Sequence, residues 1–103
     1  MSDHAATRDR TRCPTHPGVL LKDTVLPALN LPKTEIARLL GISRQSLYDI
    51  LAGAQPVTPT TAVKLGKLCG NGPLVWLNMQ IAHDLWAAEG QVDVSNIPTL
   101  RLA

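Results

Sequence analysis

The stretch from Thr34 to Gly53, TEIARLLGISRQSLYDILAG, constrains the fold of this chain more than any other segment. It has the pattern of two short helices joined by a tight turn. The first helix carries apolar residues at helical spacing, namely Ile36, Leu39 and Leu40. Gly41 favours the left-handed backbone that ends a helix, and Ser43 has a side chain suited to cap the next one. We therefore predict a helix-turn-helix unit in this stretch.

The second helix of the unit is predicted to have one buried and one exposed face. Its core residues are expected to be Leu47, Ile50 and Leu51. Because successive helical residues turn by about 100°, the start, outer face and flanks hold the candidate nucleic-acid contacts: Ser43, Arg44, Gln45, Ser46, Tyr48 and Asp49. Such helix pairs also occur as ordinary packing units. Small Ala37, one turn before Gly41, allows the close helix crossing of a DNA-binding pair and favours DNA recognition.

Composition indicates a single globular domain. The chain has 103 residues, of which 45% are hydrophobic, and no apolar run long enough to span a membrane. Its first residues, MSDHAATRDRTRC, lack the apolar core of a secretory signal. The two cysteines, Cys13 and Cys69, are therefore expected to be reduced thiols. We predict a soluble cytoplasmic protein that makes no membrane contact.

The charge of the chain is only weakly basic, with a net charge of +2 and a pI of about 8.8. Proteins that bind DNA draw much of their affinity from phosphate contacts. Residues 16–56 hold four cationic side chains against three acidic ones: Lys22, Lys33, Arg38 and Arg44 against Asp23, Glu35 and Asp49. Because one copy offers few phosphate contacts, the DNA-binding interpretation needs a homodimer.

Residues 1–15 form a polar segment that contains Arg8, Arg10 and Arg12. This segment has too little apolar surface to fold by itself, so we expect a disordered basic arm. The arm is either a frayed tail or a segment that contacts DNA phosphates when DNA is present. His4, Cys13 and His16 have metal-binding side chains, but no second ligand pair stands at a usable spacing. We therefore expect no metal and no cofactor.

Three further helices are predicted, which with the pair above make an all-α domain over residues 16–90. His16-Pro17-Gly18 opens the first helix, and Pro27 is expected to end it. Thr58-Pro59 has the pattern of a hydroxyl cap followed by proline at the first helical position. Thr60, in the first turn of this helix, is a further candidate contact to a phosphate.

The last predicted helix runs from Pro73 to Glu89 and is expected to end at Gly90. It is apolar around much of its circumference, more than one small core can cover. Residues 91–97 then alternate polar and apolar side chains, which is a strand pattern. Since a lone strand needs a partner, residues 91–103 are predicted to be either a strand paired with a second copy or a tail. Both features favour a homodimer.

Several segments together resemble a known family. They are His16-Pro17-Gly18, EIARLLGISR at residues 35–44, TPTTA at 58–62, and WLNMQ at 76–80 followed by HDLW at 83–86. On these residues the chain resembles the HigA-type antitoxins, also described as plasmid-maintenance antidote or virulence-associated protein I-like proteins. These proteins belong to the Xre/Cro helix-turn-helix repressors. The likeness runs from about residue 16 to residue 97, and the tryptophan-bearing segment is its most specific part.

The resemblance implies a five-helix lambda-repressor-like domain that dimerises and binds a palindrome in its own promoter. It also implies a protein partner, a HigB-type toxin that cleaves messenger RNA and is held inactive in a complex. By the same likeness, DNA contacts fall on Ser43, Arg44, Gln45, Ser46 and Tyr48. Many relatives carry lysine or arginine where this chain has Ala54-Gln55. We therefore expect weaker phosphate anchoring and a flatter salt dependence.

Two other functions remain open from the sequence. The chain is alternatively a stand-alone Xre-type transcriptional regulator with no toxin partner, or a protein-interaction module whose helix pair is only a scaffold. Asp49 is open in the same way, because a carboxylate either accepts a hydrogen bond from cytosine or repels phosphate. An enzyme is not expected, since no nucleophile, base and orienting group converge in the sequence.

Overall fold

The computed structural model describes residues 12–101, which form five helices and no strand. Helix α1 consists of three consecutive segments, Pro17–Leu20, a π-helical turn Leu21–Val25, and Leu26–Leu29. The others are α2 (Lys33–Leu40), α3 (Arg44–Leu51), α4 (Pro59–Cys69) and α5 (Pro73–Gln91). The predicted all-α, five-helix class is confirmed. The first eleven residues of the predicted basic arm lie outside the described residues.

Helix α1 differs from the prediction, because Pro27 lies inside it and does not end it. The Leu26 N–H donates to the Leu21 carbonyl, five residues back, and so forms a π-helical turn just before the proline. Proline has no N–H, and its ring crowds the carbonyl four residues earlier, so a wider turn accommodates it. The helix ends at Leu29, and Asn30 follows in the left-handed region with φ 53°.

One apolar core joins all five helices. Its largest fully buried side chains are Leu21 from α1, Ile36 from α2, Leu47 and Ile50 from α3, Leu65 from α4, and Trp76 from α5. Of the three apolar residues at helical spacing in α2, Leu39 does not join the core, because it is 47% exposed. The buried face of α2 is instead formed by Ile36, Ala37 and Leu40. Small Ala37 therefore lies in the interior, where the sequence placed a close helix crossing.

Gly18 brings the start of α1 against the end of α3. A Cβ atom at this position would lie 1.8 Å from the Ile50 carbonyl oxygen, a distance that no real contact allows. The preceding His16 ring is buried, and its Nδ1 accepts a hydrogen bond from the Gly18 N–H at 2.9 Å. The His16-Pro17-Gly18 segment is thus the point at which α1 holds the C-terminal end of α3.

Helix α5 extends two residues beyond its predicted end. Gly90 is not among the residues with positive φ, and the Val92 N–H continues the helical pattern by donating to the Ala88 carbonyl at 2.9 Å. Residues 92–101 are exposed and pair with no strand of the same chain. Of the two predicted alternatives, the tail describes the monomer, whereas the strand needs a partner chain.

Candidate nucleic-acid interface

The turn between α2 and α3 is fixed by backbone hydrogen bonds. Gly41 lies in the left-handed region at φ 69°, and its N–H donates to the Arg38 carbonyl at 3.1 Å. The Ile42 N–H donates to the Ala37 carbonyl, also at 3.1 Å. The two bonds together satisfy the last carbonyls of α2 in a Schellman arrangement. Lys64 Nζ, from α4, lies 3.4 Å from the Gly41 carbonyl oxygen, so α4 holds the same turn from outside.

Ser43 begins α3 as its N-cap residue. Its Oγ accepts a hydrogen bond from the Ser46 N–H at 3.0 Å, which satisfies one of the free donors of the first helical turn. Arg44, the first residue of the helix, is exposed and has no hydrogen-bond or ion-pair partner among residues 12–101. The start of α3 therefore presents an unpaired guanidinium group beside a helix N-terminus, where an anion is favoured.

The two faces of α3 divide as the helical spacing predicts. Its buried residues are Leu47, Ile50 and Leu51. Its outer face carries exposed Arg44 and Gln45 together with Tyr48, whose side chain is 46% exposed. Asp49 lies one turn beyond Gln45 on this face and is half-buried, as is Ser46 at the flank. The structure thus brings six of the seven predicted contact residues together on one short helix and its cap.

Gln45 and Asp49 are joined across one turn of that outer face. Gln45 Nε2 donates a hydrogen bond to Asp49 Oδ1 at 2.9 Å. The two residues are four positions apart, which places their side chains one above the other on a helix. The face therefore presents a coupled amide and carboxylate and not two independent side chains.

Thr60 lies on a separate element, in the first turn of α4. Thr58 caps this helix, because its Oγ1 accepts from the Thr61 N–H at 3.3 Å, and Pro59 occupies the first helical position. Thr60 itself is exposed, whereas Thr61 is buried. Helix α4 packs against α2 and α5. Thr60 is therefore the one predicted contact residue that lies on a different helix from the α3 group.

Two lysines that the sequence did not single out lie at this surface. Lys33, the first residue of α2, places its Nζ 5.9 Å from the centre of the Tyr48 ring, a cation–π contact between α2 and α3. The other is Lys64 at the turn. Arg38 is already paired, since its Nε donates to Glu35 Oε1 at 2.9 Å and the bond lowers the pKa of Glu35. No local pattern could have found the lysines, because their partners are distant in sequence.

A cluster of two histidines joins the N-terminal segment to α5. His83 Nδ1 lies 2.8 Å from the Pro14 carbonyl oxygen and 3.4 Å from Cys13 Sγ, and the His16 and His83 rings meet edge to face at 5.1 Å. Burial lowers the pKa of His16, and His83 lowers it further, while Asp84 opposes both. Within residues 12–101, no three His, Cys, Asp or Glu side chains are grouped as a metal site would require.

The most distinctive sequence segment, WLNMQ, serves the framework. Gln80 is buried, and its Oε1 accepts from the Val57 N–H at 2.8 Å while its Nε2 donates to Asp84 Oδ1 at 2.9 Å. Trp76 is fully buried, and its Nε1 donates to Asn71 Oδ1 at 3.0 Å. These bonds hold the loops at both ends of α4 against α5. The bond to Val57 is buried and the other two are partly buried, so this segment has a structural role.

Exposed apolar side chains concentrate on α5 and the residues that follow it: Leu74, Val75, Ile81, Leu85, Val92, Val94, Ile97 and Leu100. An open depression of about 620 Å³ adjoins them, lined by Pro14, Thr15, Val75, Asn78, Met79 and Ala82. An exposed apolar surface of this kind is typical of a protein–protein contact.

No helix in the described part of the chain combines the length and the apolar character that crossing a bilayer demands.

Comparison with known proteins adds to this geometry. Residues 21–77 match the family described as helix-turn-helix. The uncharacterized HTH-type transcriptional regulator YddM of Escherichia coli K12 is 37% identical over 82% of this chain and 88% of that protein. A Nostoc punctiforme structure described as an antidote protein of a plasmid maintenance system has a TM-score of 0.72 at 38% identity, covering 77% of this chain and 86% of that one. The Pseudomonas aeruginosa antitoxin HigA, solved with the higBA promoter, has a TM-score of 0.74 at 26% identity, covering 86% and 99%.

Proposed function

This chain belongs to the helix-turn-helix family, together with HTH-type transcriptional regulators and HigA-type antitoxins, and on that premise we propose that it is a dimeric, sequence-specific repressor of its own promoter. The observation that carries the proposal is the outer face of α3, where Arg44 and Gln45 are exposed beside a capped helix start. The similar Pseudomonas aeruginosa HigA, which was solved with promoter DNA, supports it.

In this proposal α3 lies in the major groove, which is wide enough to admit one helix. The fork of the Arg44 guanidinium group pairs with guanine or with a phosphate, and the Gln45 amide pairs with adenine. Each such bidentate base contact is worth about 1–3 kcal/mol of discrimination. Ser43, Ser46 and Tyr48 flank these two residues and contact the backbone of the duplex.

Phosphate contacts from other helices complete the interface. Lys33 at the start of α2 and Thr60 at the start of α4 are both exposed at helix N-termini, the end of a helix that favours phosphate. The segment that follows α3 contributes little, because Ala54 and Gln55 carry no charge. With a net charge of only +2, one copy makes few such contacts. A second copy doubles them.

Exposed apolar surface on α5 and the tail supports the proposed contact with a second copy. Ile81 and Leu85 are more than half exposed on α5, and the alternating residues of the tail have no strand partner within the same chain. Covering these side chains removes them from water and joins two protomers. A two-fold dimer reads a palindrome whose half-sites lie about one turn, or 34 Å, apart, or a multiple of that distance.

We extend the proposal to an antitoxin role, in which the chain binds and neutralises a HigB-type, mRNA-cleaving toxin. The family resemblance supports this part. It is tested by expressing the neighbouring reading frame with and without this chain. Growth arrest that this chain relieves, with a complex that survives purification, is the expected result. Persistent arrest contradicts the antitoxin role and favours a stand-alone transcriptional regulator.

The DNA-binding part is tested by titrating the protein onto its own upstream DNA and onto a scrambled duplex at low and high salt. We expect the upstream DNA to be retarded first. In the double variant Arg44→Ala/Gln45→Ala, the preference for the upstream DNA over the scrambled duplex should fall at least about tenfold. Lys67→Ala is the matched control, because Lys67 is an exposed cation on α4 and lies outside the proposed interface. Equal retardation of both duplexes at low salt would favour a protein-interaction module instead.

A further inference from the structure

We propose that Asp49 is a positioning residue, which holds the Gln45 amide in one orientation so that Gln45 alone reads its base pair. The inference rests on the proposed DNA-binding function and deepens it, because it assigns the control of one base contact. The geometry behind it is the 2.9 Å hydrogen bond from Gln45 Nε2 to Asp49 Oδ1 on the outer face of α3.

The chemistry of the pair decides which end of the amide faces Asp49. A carboxylate has only acceptor oxygens, so the nitrogen of the Gln45 amide must face it and the amide oxygen must point away. A glutamine in solvent turns freely about its last side-chain bond. The hydrogen bond to Asp49 removes that freedom before DNA arrives. Gln45 is thereby held in one of its two amide orientations.

The orientation leaves the groups that a base contact requires. The amide nitrogen carries two hydrogens, and Asp49 accepts one of them. Gln45 keeps its oxygen as an acceptor and its second hydrogen as a donor. This is the complement of adenine in the major groove, which presents an N6 donor and an N7 acceptor. A side chain that is already ordered also loses less conformational freedom on binding.

The placement of Asp49 argues against a base contact of its own. Asp49 is half-buried, whereas Gln45, one turn nearer the start of α3, is exposed. Among residues 12–101, Gln45 is the only side chain hydrogen-bonded to the Asp49 carboxylate, and no cation forms an ion pair with it. The carboxylate is therefore directed along the helix toward the amide.

A second role for a carboxylate at this surface is repulsion of phosphate, and the two roles differ in what they change. Repulsion of phosphate weakens binding to every sequence alike, because the backbone is the same in all duplexes. Positioning of Gln45 changes the preference for one base pair and leaves the other base pairs untouched. Affinity for a single duplex cannot separate the two roles, but a panel of duplexes can.

The experiment measures the affinity of the full-length protein for its upstream operator and for duplexes in which each half-site base pair is changed in turn. We expect Asp49→Ala and Asp49→Asn to reduce the wild-type preference at the base pair read by Gln45 at least about fivefold. Preferences that depend on Arg44 should be unchanged. Asp49→Asn adds a donor that can hold the amide in either orientation. Asp49→Glu keeps an acceptor-only carboxylate on a longer side chain and should retain most of the preference.

A double variant provides the internal control. If Asp49 acts through Gln45, then Gln45→Ala/Asp49→Ala should discriminate no less than Gln45→Ala alone. A further loss in the double variant would overturn the inference, since it would show a base contact made by Asp49 itself. A uniform gain in affinity for all duplexes, with every preference intact, would also overturn it. Thermal unfolding of each variant checks that the fold is retained.

Failure of the proposed function is distinguishable from failure of this inference. If the wild-type protein prefers no duplex, the proposed function is wrong, and the inference fails with it before any variant is made. If the wild-type protein and Arg44→Ala behave as proposed while the Asp49 variants keep every base preference, only the positioning role fails.

Discussion

Helices α3 and α5 bury their apolar side chains to very different extents. Helix α3 turns Leu47, Ile50 and Leu51 inward and leaves no aliphatic side chain on its outer face. Helix α5 buries Trp76 but leaves Leu74, Ile81 and Leu85 more than half exposed. A helix whose aliphatic residues are all buried exposes only a polar face, which suits a polar partner. A helix with exposed aliphatic residues is stabilised when another protein covers them. The contrast suits α3 to nucleic acid and α5 to a second chain.

The two helices also differ in how firmly the fold holds them. The end of α3 meets α1 at Gly18, and the Gly41 turn before α3 is fixed by its own backbone and by Lys64. The last part of α5 lacks such support, because residues 88–101 are all exposed. A helix that reads bases benefits from fixed geometry, since a base contact depends on direction as well as distance.

Two leucine substitutions, one on the buried face of α3 and one on the exposed face of α2, should give the largest difference in stability. Leu47→Ala should lower the free energy of unfolding by about 2–5 kcal/mol, because the Leu47 side chain is 0% exposed. Leu39→Ala makes the same chemical change at a residue that is 47% exposed and should cost less than about 1 kcal/mol. Chemical denaturation measures both. Equal costs would contradict the assignment of Leu39 to the surface.

Two glycine substitutions compare the tightly packed end of α3 with the exposed end of α5. Gly18→Ala should destabilise the protein by about 1–3 kcal/mol or more, because its Cβ would lie 1.8 Å from the Ile50 carbonyl oxygen. Gly90→Ala should raise the free energy of unfolding by up to about 1 kcal/mol, since Gly90 is helical and a Cβ there meets nothing within 4 Å. A destabilised Gly90→Ala would show that the end of α5 is not free.

Charged substitutions on the exposed face of α5 test whether this face contacts a second copy of the chain. Ile81→Glu and Leu85→Glu should each raise the dimer Kd at least tenfold, about 1.4 kcal/mol, because the interface would bury an unpaired charge. Val63→Glu is the matched control, since Val63 is 60% exposed on α4. Sedimentation velocity over a concentration series measures the Kd. A wild-type chain that is monomeric throughout would contradict the dimer.

The smallest expected effect is a pH dependence at His16, which joins the end of α3 to α5. The pKa of His16 in the fold lies below the ordinary 6.5, so the unfolded chain binds more protons between the two values. The stabilisation is complete above about pH 6.5 and is lost as the pH falls through the lowered pKa. His16→Asn keeps an acceptor for the Gly18 N–H without a titrating ring. The free energy of unfolding, measured from pH 5 to 8, should fall less steeply toward acid pH in this variant than in the wild-type protein.

Local patterns predicted much of the helical framework and the composition of the candidate surface. The N-caps at Ser43 and Thr58 and the left-handed Gly41 were read correctly, because capping depends on residues adjacent in the chain. The end of α1 was not, since a π-helical turn allowed Pro27 inside the helix. The spacing did not separate Leu39 from Leu40, because both neighbouring leucines fit it and only the packing partners decide which one is buried.

What the sequence alone determined is the order of the helices and the identity of the residues on α3, because backbone turns and helical periodicity act over a few residues. The same periodicity brings Gln45 and Asp49 one turn apart, and the side-chain rotamers join them by a hydrogen bond. Only the tertiary structure decided that Lys33 lies over Tyr48 and that Lys64 holds the turn. These two contacts join residues distant in the chain, whose meeting depends on how the helices pack against one another.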